Sequence, residues 1–88
     1  MNKMHLLKLI NEIETICLLD FRSREFQTDH STEIKRLLSS ATYRLSKVGV
    51  LDNEFNFIKT IKSRERRIDY LVDLLPKLYL LEGGIVSC

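Results

Sequence analysis

The chain has 88 residues, 44% of them apolar and 30% charged, and a net charge of +2. That length holds one domain, residues 1–88, which buries roughly 60–65% of its unfolded surface, and the composition is that of a folding protein rather than a disordered one. The net charge is too small to imply a polyanionic partner by itself, and the longest apolar runs, about four residues against the roughly 20 needed to cross a bilayer, exclude a transmembrane helix.

Residues 4–21 read as an amphipathic helix. Leu6, Leu9, Ile10, Ile13, Ile16, Cys17 and Phe21 fall on one stripe, with His5, Lys8, Asn11, Glu12 and Thr15 opposite. Leu7, Leu18 and Leu19 widen the apolar arc, so this helix is expected to touch more than one neighbour. Lys8, Asn11, Glu12 and Glu14 interrupt what would be the core of a secretion signal, and no small-residue cleavage site follows, so a cytoplasmic location is expected. Cys17 on the apolar face and Cys88 at the end fit reduced thiols better than a disulfide framework. Ile85 stands where prenylation would need a cysteine. Residues 21–30, FRSREFQTDH, are polar apart from two phenylalanines and read as a connection, with Phe26 tucked against the bundle.

Residues 31–48 carry the clearest helix signals. Ser31 is a good N-cap and Glu33 suits the positive helix end. Ile34, Leu37, Leu38, Ala41, Leu45 and Val48 share one stripe, and Tyr43 points away from it. Gly49 is placed to take the left-handed conformation of a C′ residue, with Val50 folding apolar surface back. Asp52 can cap a third helix, and Phe57, Ile58, Ile61, Glu65, Ile68, Val72 and Leu75 keep one period through KSRERR. A single helix over residues 53–75 would be about 35 Å long. Pro76 ends or kinks it, after which KLYLLEGG continues as helical turns closed by Gly83 or, as the less favoured alternative, pairs with IVSC in a hairpin. The fold class is therefore all-α: a small antiparallel bundle of three to four helices with a long third helix.

The end of that helix is apolar on two sides, with Ile68, Val72 and Leu75 on one and Leu71, Leu74, Leu78 and Leu81 on the other. Two shorter partner helices do not cover both, so a homodimer or a docked protein is expected on the leucine face. The alternative is a bend at Pro76 that folds the tail back over it. Glu65 is the odd carboxylate in the stripe. If buried it needs a cation, either at the edge of the bundle or at an interface.

Nothing marks an enzyme. His5 and His30 are far apart without a second ligand at metal spacing; Asp29, His30 and Ser31 are neighbours on a loop and cannot assemble a triad; and there is no phosphate-binding glycine motif. No cofactor, metal or small-molecule substrate is expected. Lys59, Lys62, Arg64, Arg66 and Arg67 form a basic cluster opposed only by Glu65, and on one long helix Lys59, Lys62 and Arg66 share a face. Such a face tracks phosphates or an acidic protein surface, or is simply solvated. No aromatic residue interleaves it in sequence, so base stacking is not suggested. RLSKVGVLDNEFNFIK has a weak helix-turn-helix pattern about Gly49. Leu45 stands where a small residue is wanted, however, and Asp52 and Glu54 would face phosphates. The expectation is a non-enzymatic protein-binding regulator, such as an inhibitor, adaptor or immunity-type protein, acting as a homodimer. The competing expectation is a nucleic-acid-binding regulator that uses the basic face.

Overall fold

The computed structural model describes residues 1–83, which form four helices: α1 (Lys3–Phe26), α2 (Ser31–Lys47), α3 (Asp52–Ile58) and α4 (Arg64–Glu82). The chain is all-α, and no described helix is long and apolar enough to cross a membrane. Residues 84–88, to which the hairpin alternative and Cys88 belong, lie outside the described residues.

Helix α1 starts where the Asn2 side chain accepts a bond from the His5 N–H at 3.1 Å, and it runs past the expected stop at Phe21. FRSREF continues the helix because it contains no breaker, and an Asp20–Arg24 ion pair at 3.3 Å bridges one turn of it. Gln27 ends the helix in a left-handed conformation (φ 54°), and the Thr28 hydroxyl donates back to the Arg22 carbonyl at 3.4 Å. Phe26 does not tuck in; it is 66% exposed.

Helix α2 follows its predicted stripe, and Ile34, Leu37, Leu38, Ala41, Leu45 and Val48 are all buried. Its entry differs by one residue. Ser31 is the first helical residue, and Asp29 Oδ1 accepts from both its backbone N–H (2.9 Å) and its hydroxyl (2.7 Å). These two bonds, with smaller contributions from His30 and Arg64, hold the Asp29 carboxyl below the ordinary carboxylate range. Gly49 takes φ +101°, as a C′ residue should. The residue folded back is Leu51, fully buried, while Val50 is half exposed. Asp52 is accordingly the first residue of α3 rather than its cap.

The single long third helix is a correction. The chain leaves the helix at residues 59–63, where Thr60 and Ile61 donate to the carbonyls of Phe57 and Ile58 in tight i+3 turns. Ser63 then opens α4 as N-cap, its hydroxyl accepting from the Arg66 N–H at 3.4 Å. Pro76 does not end α4. It lies inside the helix on the exposed side, where its missing N–H leaves the Val72 carbonyl without its usual helical donor, while Leu74 and Leu78 are buried on either side of it. As favoured from the sequence, the helix runs on to Gly83, whose φ is +84°.

One apolar core draws on all four helices and contains no buried polar or charged residue. Helices α1 and α2 pack antiparallel, pinned at one end by the Asn2 N–H on the Val48 carbonyl (2.7 Å). Midway, Glu12 accepts from the Ser40 hydroxyl (2.6 Å) and from Arg44 Nε (3.0 Å). Arg44 Nη1 also lies 3.0 Å from His5 Nδ1, and since arginine has no acceptor it is the donor of that contact. Helix α4 lies on α1 and α3 on α2, and Lys77 ties α4 to Glu54 of α3 at 2.6 Å.

Because the turn at 59–63 swings α4 onto α1, the leucine face is internal. Leu71, Leu74 and Leu78 are buried in the core and Leu81 packs half-buried against it. The expectation that these residues stand open for a second subunit is thereby corrected: the bend that covers them lies thirteen or more residues before Pro76, at residues 59–63.

Candidate docking site

The turn that ends α3 gathers charge. Lys62 lies on the connection, Arg64, Arg66 and Arg67 fill the first turn of α4, and Lys35 comes across from α2. Between α2 and α4 they surround a depression of about 560 Å³, with Lys35, Lys62, Arg64 and Arg67 as its cations, Ser39 and Thr42 as hydroxyls and Leu38 as apolar lining. Lys62 also belongs to an adjoining depression of about 550 Å³, lined by Arg66, Ser63, Thr60, Ile61 and Phe57. Among the described residues, none of these five cations takes part in an ion pair.

Local chemistry sets their positions. Arg67 is half-buried, and its Nε donates to the Ile61 carbonyl at 2.5 Å, which closes the connection and leaves the terminal nitrogens of the guanidinium for other acceptors. Arg64 and Arg66 lie within the first turn of α4, where the open backbone N–H groups add to the positive potential. Lys62 and Lys35 are exposed.

The basic cluster expected from the sequence is thus brought together, but not as one helix face. Lys59, Lys62 and Arg66 stand respectively at the end of α3, on the connection and on α4. Lys59 is held aside, its ammonium 4.4 Å from the centre of the Phe55 ring. Glu65 is neither buried nor paired with an arginine. It is exposed on the first turn of α4, accepts from the Ser63 hydroxyl at 3.4 Å and suits the positive helix end.

Sequence reasoning missed Lys35, Ser39 and Thr42, which repeat at i, i+4 and i+7 on one face of α2. The spacing was readable, but what it faces depends on where α4 begins. It also placed no aromatic residue near the cations. In space Phe57 is 53% exposed beside Lys62 and Arg66, and its ring packs on Tyr70 at 5.0 Å between centroids and 48° between planes. Burial, reinforced by Glu54, pushes the Tyr70 phenol above its usual range, so it is neutral at physiological pH.

The helix-turn-helix pattern gains little. The α2–α3 corner exists, but α3 has seven residues, opens with Asp52 and Glu54 and carries no cation of its own. No group of three or more His, Cys, Asp or Glu among the described residues is placed to hold a metal ion. The arrangement at residues 59–67 offers positive charge, hydroxyl and guanidinium donors and one exposed ring, which suits it to holding an anion. Comparison with known proteins finds no matching family model, no matching curated protein and no matching solved structure.

Proposed function

We propose that this chain is a small non-enzymatic regulator that works by docking on an anionic macromolecule through the basic corner of residues 59–67 and Lys35. The observation that supports this is the crowding around two adjoining depressions of five cations that, among the described residues, have no ion partner. Like charges held together raise the energy of the folded chain and are relieved when a polyanion neutralises them. A merely solvated face does not need them converging on a concavity.

Binding to immobilised heparin and to polyglutamate, measured across salt concentrations, tests the proposal. Affinity should fall steeply with salt, and Lys62→Gln with Arg64→Gln should reduce the salt slope by about two, one for each positive charge removed. Unchanged binding in that variant would sink the idea.

A second reading, docking on another protein or a second copy of the chain, rests on the outer side of α1, where Met4, Leu7, Leu18 and Phe21 are each about half exposed. Under it, solution mass should rise with concentration and revert to that of one chain in Leu18→Ser; a single mass at every concentration would remove self-association.

A further inference from the structure

The corner carries more than charge. Lys62 is shared by both depressions, so the cation-rich one between α2 and α4 leads directly to the one walled by Phe57. Phe57 presents half of its surface, yet the ring is not free to swing, because Tyr70 packs on it. An exposed, braced aromatic ring next to a row of phosphate-seeking side chains is a stacking platform at the end of an electrostatic groove.

The candidate anions differ in what they could offer that ring. An acidic protein segment presents carboxylates on flexible side chains and need not supply a flat partner. Duplex DNA or RNA presents phosphates but keeps its bases stacked inside. A single strand alternates phosphate with an unstacked base, and every base has a flat face.

From this juxtaposition we infer that the corner binds single-stranded nucleic acid, with phosphates held by Lys35, Lys62, Arg64 and Arg67 and a base stacked on Phe57. The inference rests on the docking surface proposed above and adds the class of the ligand. Stacking and phosphate contacts of this kind are tolerant of sequence, because every base has a flat face and every nucleotide a phosphate.

The test is fluorescence anisotropy with a labelled oligothymidylate of about 12 nucleotides, a size within the range single-strand-binding modules cover. The same sequence as a duplex, and polyglutamate, serve as competitors. The single strand should bind more tightly than either. Phe57→Ala should weaken it about 5- to 150-fold, the worth of one stacked base, while Phe57→Trp retains binding and shows that the ring, not the fold, is what the alanine variant lacks. Lys62→Gln should flatten the salt dependence.

If Phe57→Ala binds like the parent, or if duplex or polyglutamate competes as well as the single strand does, the nucleic-acid inference is overturned while anion docking stands. If the parent protein binds no polyanion at any salt concentration, both fall together.

Discussion

Replacing Leu78 by alanine asks directly whether the leucine face of α4 belongs to the core or to an interface. Leu78 has no exposed surface in the single chain, whereas Leu80, two residues on, is 72% exposed. Truncating a buried leucine costs about 2–5 kcal/mol, the spread depending on how far the cavity collapses. At roughly 0.05–0.15 kcal/mol per residue a domain of this size has about 4–13 kcal/mol in all, so the loss is a large share of the total. It corresponds to a fall in Tm of at least about 8 °C, at 4–8 °C per kcal/mol for a small domain. Thermal melts followed by far-UV circular dichroism, run at two protein concentrations 100-fold apart, supply the measurement. Leu78→Ala should melt far below the parent with a midpoint that does not move on dilution, and Leu80→Ala should melt within about 0.5 kcal/mol of the parent. A mild effect at Leu78, or a midpoint that drops on dilution in the parent and not in the variant, would refute its placement in the core of one chain.

Two further outcomes follow from the polar contacts. Glu54 accepts a hydrogen bond from Lys77, which outweighs its partial burial and lowers its carboxyl below the ordinary range. A carboxylate depressed in the folded state contributes stability above its unfolded value, near 4.3, and loses it as pH falls through the folded value. Urea midpoints of the parent and Glu54→Gln should therefore differ at pH 7 and converge on acidification, and a gap that does not narrow as pH falls would contradict the assignment. The Glu12–Arg44 pair is largely shielded, with side-chain exposures of 15% and 19%. Glu12→Gln should cost about 1.5–3 kcal/mol, and a double-mutant cycle with Arg44→Met should return a coupling energy of at least about 0.5 kcal/mol; additive single losses would mean the pair does not act as one.

The legible parts of this chain are those fixed within one helix. Helix α2 could be read almost residue by residue because its apolar stripe, its first turn and Gly49 are all local signals. The break after Ile58 could not, because Ile58, Ile61, Glu65 and Ile68 keep the 3-4 rhythm across it. Ile61 packs on the core from the connection just as it would from a helix, so periodicity alone does not distinguish the two. The competing signal was Thr60 and Ser63, whose hydroxyls end one helix and begin the next. The fate of the leucine face and the make-up of the candidate site both hang on that turn. Lys62, Arg64, Arg66 and Arg67 were visible as neighbours in sequence, but Lys35, Phe57 and Tyr70 join them only through the path the chain takes at 59–63.

The Glu12, Ser40, Arg44 and His5 network at the edge of the α1–α2 contact acquires a different importance once the core beneath it is seen to hold only aliphatic residues. Leucine and isoleucine stripes interdigitate nearly as well after one helix slides a turn, about 5.4 Å, along the other, so an aliphatic interior favours collapse more than it selects a single alignment. A carboxylate set between the Ser40 hydroxyl and the Arg44 guanidinium favours one alignment of the two helices, and the Asn2 bond to the Val48 carbonyl favours the same one. Those few side chains act as the key that fixes which residues of α1 stand opposite which residues of α2, and loss of the key would show as conformational heterogeneity, such as doubled backbone resonances, before it showed as unfolding.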